Sequence, residues 1–479
     1  VQGCTALTPV GLLLFMRQLK LAVRLPLLVV AIALLTGASL GLAAFWAADR
    51  IVTSQAEQRL KGAAENASTA LDAYLNEVAE DLTVFAGRSE IAAAIDVLAG
   101  AFTSLEGQGD PTALLQDAYI AQNPNPAGER MLLDSSDKLP VYDLHHRTLN
   151  ADFRDLLANR GYYDIFLFDT EASNVYTVFK ETDFATRFAE GTGPWAGSDL
   201  GKVVRAALGA DEGQVFLSDF APYEPSAGAP ASFIAAPVFE QGSLVGALAF
   251  QMPTALIGDV LARTQGLGET GEVFLVGTDG MARNDSPTTE GDDVLSLDLS
   301  GTTLSGALGG TETLGDQVYG GADYVADALP LRFGGVDWAV MALESRSEIT
   351  APATDLRNTM LVIGAVLLAL ATISAILIAR TITRPISRLT GAMAHIAEDQ
   401  LEIEVPGTGR TDELGEMAGA VEVFRQNGLK MRDLRAMEVD MGEERLARIA
   451  TVQGFQAEIG RVVGAAVDGD FSARVSTTV

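Results

Sequence analysis

Two long stretches of the chain contain no charged residue. The first is residues 25–48, LPLLVVAIALLTGASLGLAAFWAA, and the second is residues 359–379, TMLVIGAVLLALATISAILIA. As helices, both are long enough to cross a hydrocarbon core about 30 Å thick. A buried core helix or a cleaved signal peptide is the alternative, but the first stretch exceeds a signal peptide's apolar part and leads directly into a helical pattern. The pattern predicts two transmembrane helices.

A helical period continues after the first span. Apolar residues from Ile51 to Phe85 lie near helical spacing, and no proline follows the span before Pro111. This pattern predicts one long helix over residues 49 to about 100. We expect it to continue the membrane helix outward and to serve as a dimer stalk.

The period then changes to that of short strands rich in β-branched and aromatic residues. Five such runs are followed by a short helical segment at residues 253–268 and by about five more strands. The runs are DIFLFD (164–169), NVYTVFK (174–180), GQVFLSDF (213–220), ASFIAAPVF (231–239), GSLVGALAFQM (242–252), GEVFLVGTDG (271–280), GDQVYGGADYVADAL (315–329) and VDWAVMALES (336–345). This order predicts two stacked modules, each with one antiparallel sheet.

Two further helices are predicted after the second span, because apolar residues repeat there at spacings of three and four. These residues are Ile386, Leu389, Met393 and Ile396 in the first helix and Leu414, Met417, Val421 and Phe424 in the second. The segment 401–407 between them alternates like an extended connector and ends in Pro-Gly. Pro385 can open the first helix, and Thr411 or Asp412 can cap the second. The helical pattern continues beyond residue 430.

Basic residues at the span ends set the predicted orientation, because such residues stay in the cytoplasm. They are Arg17, Lys20 and Arg24 before the first span and Arg380, Arg384 and Arg388 after the second. Both termini are therefore predicted to be cytoplasmic, and residues 49–358 are predicted to lie outside.

The net charge follows the same division. The chain has 63 acidic and 33 basic residues, a net charge of −30, and residues 49–358 alone hold 47 acidic and 18 basic residues. Such a charge does not suit nucleic-acid phosphates, whereas 48% hydrophobic residues exclude a disordered acidic chain. The composition predicts an acidic, folded outer domain and no nucleic-acid partner.

Few residues are available for metal or disulfide chemistry. Cys4 is the only cysteine, and the three histidines are His145, His146 and His395. An intramolecular disulfide is therefore excluded and a zinc site is disfavoured. No Walker motif, kinase box or catalytic metal cluster occurs, so neither an enzyme nor a cofactor is expected. The segment that begins at Met16, MRQLKLAVRLPLL, is first basic and then apolar, as a natural amino terminus would be. We therefore expect that translation starts at Met16 and that residues 1–15 are not native.

The order of elements in residues 49–358 resembles the double Cache sensor family, in which a long amino-terminal helix packs along two PAS-like sheets. The stretches YYDIFLFDTEASNVYTVFKETDF and GLGETGEVFLVGTDGMARNDS are similar to segments in the outer domains of bacterial chemoreceptors. The resemblance implies an α+β membrane protein with an extracytoplasmic double Cache domain. Its distal module would cover about residues 160–252 and its proximal module about residues 271–345.

Residues 380–433 resemble the HAMP signal-relay domain. The recognisable positions are Arg384 and Pro385 beside the span and Asp412, Glu413, Leu414 and Gly415 at the start of the second helix. The resemblance implies a parallel four-helix bundle of two chains that relays a signal by changing its packing. A plain coiled-coil spacer is the alternative, against which the Pro-Gly connector argues. Residues 434–479 are expected to form a helical linker and the start of a second HAMP-like segment.

In double Cache sensors the small-molecule site usually lies in the distal module. Polar or aromatic side chains that interrupt the strands there are the candidate ligand-binding residues: Tyr163, Tyr176, Lys180, Asp183, Asp219 and Tyr223. A lysine can hold a carboxylate, an aspartate an ammonium group, and tyrosines can supply walls and hydroxyls, which suits an amino acid or another small polar metabolite. The alternative is that these side chains face water. Arg283 and Asp285 are expected to have local structural roles.

Together the resemblances imply a homodimeric methyl-accepting chemotaxis receptor of the bacterial inner membrane, truncated before its signalling tip. A small ligand in the periplasmic domain would bias the HAMP bundle and so control a chemotaxis kinase and its adaptor. The alternative is the sensor part of a histidine kinase or nucleotide cyclase whose catalytic domain lies beyond residue 479. A structural or adhesive surface protein is disfavoured, because its HAMP domain would be idle.

Overall fold

The computed structural model describes residues 21–263, 266–289 and 291–475. The predictions about Cys4, Met16 and the basic residues 17 and 20 lie outside the described residues. Residue contacts divide the chain into two compact units. One unit is Phe45–Leu356, and the other joins the segments on either side of it.

Helix α1 covers Leu21–Ala86 and contains a candidate membrane span. The apolar window in this helix has a mean hydropathy of 2.4, and none of it is buried within the chain. A second candidate span, with a mean hydropathy of 2.8, lies within Arg346–Ala397. Apolar side chains such as Leu35, which is 72% exposed, suit contact with lipid better than contact with water. The structure thus holds two candidate membrane helices where the sequence predicts them.

The predicted long helix is broken near its end. Helix α1 stops at Ala86, Arg88 has an extended backbone, and helix α2 then covers Ser89–Leu105. Gly87 lies at the break, where its low helix propensity favours an interruption. Helix α3 follows at Pro111–Gln116 and continues as a π-helical turn at Asp117–Ala121.

Helix α4, Pro140–Arg160, was not predicted from the sequence. Its buried face is largely polar and aromatic, consisting of Tyr142, Asp143, His146, Asn150 and Phe153. A search for apolar residues at helical spacing therefore misses this helix, because most of its buried side chains are polar or aromatic.

The first sheet has six strands and forms what we call the six-stranded module. Its strands are β1 (Asp164–Asp169), β2 (Asn174–Thr177), β3 (Phe216–Leu217), β4 (Ala221–Tyr223), β5 (Ala229–Glu240) and β6 (Ser243–Met252). The order is β2-β1-β6-β5-β3, with β4 also paired to β5, and all pairs are antiparallel. Helices α2 and α4 share a core with one face, and helix α5 (Asp199–Leu208) packs on the other.

Two of these strands are shorter than predicted, and side chains share the hydrogen bonding where they end. Strand β2 ends at Thr177, and the Asp164 carboxylate accepts from the amides of Val178 and Phe179 at 2.9 and 3.1 Å, while the Val178 amide also donates to the Ile165 carbonyl at 3.2 Å. Strand β3 ends at Leu217; the Ser218 amide still donates to the Phe233 carbonyl at 2.9 Å, but the Phe233 amide donates to the Ser218 hydroxyl at 2.9 Å.

The second sheet has four strands and forms the four-stranded module. Helix α6 (Thr254–Ala262) precedes β7 (Glu272–Val276), and helix α7 (Thr302–Leu308) precedes β8 (Thr313–Tyr319), β9 (Ala322–Phe333) and β10 (Val336–Ser345). The order is β7-β10-β9-β8. Strand β10 continues directly into helix α8, Arg346–Ile378, which enters the second candidate span. The two antiparallel sheets between helices confirm the predicted α+β fold.

After the second span the chain is helical again. A π-helical turn at Ala379–Thr383 leads into α9 (Arg384–Ala397), and α10 covers Glu413–Val467. A small core joins them, formed by Leu389, Val405, Ala418 and Val421. The connector thus packs Val405 against both helices.

Candidate functional site

One face of the six-stranded sheet carries an unusual number of polar side chains. Cross-strand partners point to the same face, so the pairs Asp164 with Gln251 and Phe168 with Asn174 place these side chains on the face that packs against α5. Loop residues add further polar groups. We call the set the polar cluster: Asp164, Asn174, Thr177, Glu181, Asp183, Tyr223, Ser226 and Gln251.

Asp183 is the central carboxyl of the polar cluster. The Tyr223 hydroxyl donates to its Oδ2 at 2.7 Å, while its Oδ1 has no hydrogen-bond partner. Burial, with a further contribution from the charge of Asp164, raises the pKa of Asp183 to about 8. Asn174 anchors the loop by donating to the Asp183 carbonyl at 3.2 Å. Asp183 is therefore held in place but only partly satisfied.

Asp164 and Glu181 are the other two acids of the polar cluster. Asp164 accepts from the Thr177 hydroxyl as well as from the backbone amides of Ile165, Val178 and Phe179. Glu181 accepts from Tyr163 at 3.1 Å and from Ser226 at 2.7 Å. Burial raises the pKa of both carboxyls, because a dry environment disfavours their charged forms.

Three acceptor atoms of the polar cluster are buried without any donor. They are Asn174 Oδ1, Asp183 Oδ1 and Gln251 Oε1. Leaving a buried polar atom unpaired costs about 1 to 3 kcal/mol. A group that brings several N–H donors would satisfy these atoms.

A cavity of about 230 Å³ adjoins the polar cluster. Tyr223 and Phe233 form part of its wall, and Ser198, Asp199 and Lys202 at the start of α5 form another part. The Lys202 ammonium donates to Asp199 at 2.7 Å. Tyr223 joins the two regions, since it lines the cavity and also donates to Asp183.

Lys180 and Tyr176, two of the predicted ligand-binding residues, lie on the opposite, helix-facing side. The Tyr176 hydroxyl donates to Asn150 of α4 at 2.9 Å, and the Lys180 Nζ lies 4.3 Å from the centroid of the Tyr176 ring. Lys180 is fully buried with a positive φ of 60°, and burial lowers its pKa. Nearby, burial lowers the pKa of His146, whose Nε2 has no partner. Tyr176 and Lys180 therefore pack on the helix-facing side of the sheet and not in the polar cluster.

Asp219 lies apart from the other five predicted residues. Its carboxylate accepts from Arg283 Nε at 2.8 Å and Nη2 at 2.7 Å, and from Trp338 Nε1 at 2.6 Å. Arg283 and Trp338 belong to the four-stranded module. Arg283, for which we expected only a local role, therefore contacts the other module, whereas Asp285 makes the local contact expected, with the Asp293 amide at 2.8 Å.

The structure thus brings Tyr163, Asp183 and Tyr223 together and adds residues that sequence reasoning missed. Asp164 and Gln251 are polar residues on the sheet face otherwise formed by Phe166 and Ala249. Their alternation with apolar residues is a signal that could have identified them. Asn174 and Glu181 had no such signal, because their role depends on loop geometry.

The predicted relay residues lie where helices α9 and α10 begin. Pro385 is in the first turn of α9, beside Arg384, and the Asp412 carboxylate caps α10 by accepting from the Gly415 amide at 3.2 Å. Arg410 also donates to Asp412, which lowers the pKa of that carboxyl to about 2. Glu413 and Leu414 occupy the first turn of α10. Their role in signalling stays a prediction.

Within the three described ranges, no group of three or more histidine, cysteine, aspartate or glutamate side chains could hold a metal ion. The acids of the polar cluster are therefore not arranged as a metal site.

Comparison with known proteins adds family relationships to this geometry. The family model for the HAMP domain matches residues 377–428. The probable chemoreceptor y4sI of Sinorhizobium fredii (strain NBRC 101917 / NGR234) is 27% identical over 343 residues, which are 68% of this chain and 43% of that protein. This chain therefore spans less than half of the length of that curated relative.

Solved ligand-binding domains of chemoreceptors align with the chain as well. The domain of Pseudomonas aeruginosa PctB in complex with L-Arg is 17% identical, covers 56% of this chain and 97% of its own, and has a TM-score of 0.31. That of Pseudomonas fluorescens CtaA in complex with L-serine is 17% identical, covers 58% and 98%, and has a TM-score of 0.28. By the family model and the curated relative, the chain has a HAMP domain at residues 377–428 and is similar to a probable bacterial chemoreceptor.

Proposed function

We propose that this chain is the input part of a transmembrane chemoreceptor and that its polar cluster binds a small ligand with a protonated amine. The observation that carries the proposal is the set of three buried acceptors without donors, Asn174 Oδ1, Asp183 Oδ1 and Gln251 Oε1. Once Asp183 gives up its proton, an ammonium group, with its three N–H donors, matches these acceptors in number.

The charges around the polar cluster support the same ligand class. Besides burial, the charges of Asp164 and Glu181 both raise the pKa of Asp183. The charge of Lys180 works against the raised pKa of Asp164 and that of Arg130 against the raised pKa of Glu181, yet no described lysine or arginine forms a salt bridge with any of these three carboxyls. A buried carboxylate without a cationic partner is costly, and a cationic ligand would offset that cost. Lys202, at the cavity wall, could hold a carboxylate at the other end of an amino acid.

The rest of the chain would carry the signal. Two chains would form a homodimer, with the two-sheet domain in the periplasm and the HAMP bundle in the cytoplasm. Ligand binding would favour one of two helix arrangements, because only differential affinity can shift such an equilibrium. The proposed output is control of a chemotaxis kinase and its adaptor. The family model at 377–428 and the related chemoreceptor support this assignment.

Calorimetry on the full chain in detergent tests the ligand class. The titrants are the L-amino acids and simple primary amines, each compared with its N-acetylated form, which lacks the ammonium charge. We expect at least one amine to bind and its acetylated form not to bind. The Asp183→Asn variant should weaken that binding at least about tenfold, since a charged hydrogen bond contributes about 1.5 to 3 kcal/mol.

The control for this experiment is Asp323→Asn, which alters an exposed aspartate in β9 and should leave the affinity unchanged. Because the free protein holds a proton on Asp183 below about pH 8, amine binding should release a proton and strengthen as the pH rises from 6 to 8. Binding that is insensitive to Asp183→Asn, or an amine set in which no compound binds, would contradict the proposal.

A further inference from the structure

An ion pair with a shared tryptophan joins the two sheet modules. Asp219 receives two hydrogen bonds from the Arg283 guanidinium and one from the Trp338 indole. The Arg283 side chain is only 2% exposed, whereas that of Asp219 is 30% exposed. We call Asp219, Arg283 and Trp338 the clamp.

A second contact holds the same two regions together. The Leu217 amide of β3 donates to the Gly334 carbonyl, in the turn between β9 and β10, at 3.2 Å. Gly334 has a φ of +56°, and a Cβ added there would lie 2.6 Å from the Leu217 Cβ. The turn therefore approaches β3 as closely as the backbone allows, and only glycine fits there without displacement.

The clamp is continuous with the polar cluster through a short, tightly held segment. Asp219 lies between β3 and β4, and both of these strands pair with β5. The Ser232 hydroxyl donates to the Ser218 carbonyl at 2.7 Å, which fixes the chain next to Asp219. Tyr223, at the end of β4, donates to Asp183. A shift of Tyr223 therefore acts on a segment whose other end carries Asp219.

On its other side the clamp reaches the strand that leads to the second span. Trp338 lies in β10, which pairs with both β7 and β9 and continues into α8 without a loop. Arg283 donates in addition to the Met281 carbonyl at 2.8 Å and to Asp279 at 2.9 Å. The clamp is thus anchored within the four-stranded module at two separate segments.

We propose that the clamp couples the polar cluster to β10, so that a rearrangement at Tyr223 is transmitted through Asp219 to Trp338 and Arg283. A buried guanidinium cannot give up its carboxylate cheaply, so the two modules respond together. Packed elements of this kind move between discrete arrangements and do not deform gradually. The coupling concerns the chain itself and does not depend on which ligand binds.

Hydrogen exchange of the full chain in detergent, read by mass spectrometry without ligand, tests the coupling. The perturbation is Tyr223→Phe, which removes the hydroxyl that donates to Asp183. In the otherwise unchanged chain it should speed exchange of amides in residues 279–284 and 336–343 by about fivefold or more. In an Asp219→Asn background, Tyr223→Phe should leave these rates unchanged.

The matched control background is Asp279→Asn, because Asp279 also pairs with Arg283 but lies within the same module. There the effect of Tyr223→Phe should persist. If Asp219→Asn does not fold, Trp338→Phe, which removes the indole donor and leaves a smaller aromatic ring, should reduce the effect at least twofold. Equal effects of Tyr223→Phe in all backgrounds, or none in the unchanged chain, would overturn the proposal. None of these outcomes requires a ligand, so they are distinguishable from a failure of the amine proposal.

Discussion

At the scale of single residues, burial decides what the charged side chains can do. Lys180 and Asp183 are three positions apart, but the strand and its turn place them on opposite faces of the sheet. Lys180 packs on aromatic rings, where burial lowers its pKa, whereas Asp183 lies among other acids, where burial raises its pKa. Residue type alone suggested a ligand-binding role for both side chains, but their positions in the fold give only Asp183 a place in the polar cluster.

The raised pKa of Asp183 predicts how stability depends on pH. Its carboxyl keeps a proton up to about pH 8 in the folded chain but loses it near 3.8 when unfolded, so it makes the folded state less stable as the pH rises between these values. Asparagine stays neutral. The unfolding free energy of the Asp183→Asn variant minus that of the unchanged chain should therefore increase by about 1 to 3 kcal/mol when the pH is raised from 5 to 8.

Urea unfolding of the full chain at the two pH values, followed by tryptophan fluorescence, measures this difference. The Asp323→Asn variant serves as the control, because that side chain is exposed and should not alter the pH dependence. A gain for Asp183→Asn that is the same at both pH values would show that Asp183 does not retain its proton.

At the scale of elements, helix ends depend on a few close approaches. The start of α10 packs against the connector so tightly that a Cβ added to Gly415 would lie 2.1 Å from the Arg410 carbonyl oxygen. Gly419, one turn later on the same helix, has no atom within 4 Å of the added Cβ. Two glycines that look alike in the sequence therefore have opposite packing requirements.

The two glycines give a matched pair of variants. Gly415→Ala should push the connector away from α10 and weaken the Asp412 cap, which contributes about 1 kcal/mol. Gly419→Ala should be neutral or slightly stabilising, because alanine favours helix over glycine by about 1 kcal/mol. Limited trypsin digestion of the full chain, with cleavage after Arg410 as the readout, should be faster for Gly415→Ala only. Equal cleavage of both variants would contradict the packing argument.

At the scale of the whole molecule, the basic flanks predict the orientation in the membrane. Arginines cluster after the second candidate span, so residues beyond it should be cytoplasmic and the two-sheet domain should lie outside. In a Cys4→Ser background, Ser305→Cys and Ser387→Cys place single thiols at exposed positions on either side. An impermeant maleimide should label S305C in intact spheroplasts and S387C only after lysis. The reverse pattern would invert the assigned topology.

Much of the architecture was predictable because it is encoded in periodicity. The two uncharged stretches, the strand β1, the long strands β5, β6 and β10, and the helices on either side of the connector follow directly from the hydrophobic pattern. The HAMP resemblance is confirmed over residues 377–428. Helix α4 escaped prediction because its buried face is largely polar and aromatic, and strands β2 and β3 end where the side chains of Asp164 and Ser218 accept hydrogen bonds from backbone amides.

The sequence by itself determined the two candidate spans, the mixed fold between them, the relay helices and the acidic character of the domain, since these depend on local pattern and composition. Only the tertiary structure decided which polar residues meet. It placed Tyr163, Asp183 and Tyr223 near Asp164 and Gln251. It placed Lys180 on the helix-facing side of the sheet and paired Asp219 with Arg283 of the other module. These groupings depend on cross-strand register and on contacts between distant segments, which no local pattern encodes.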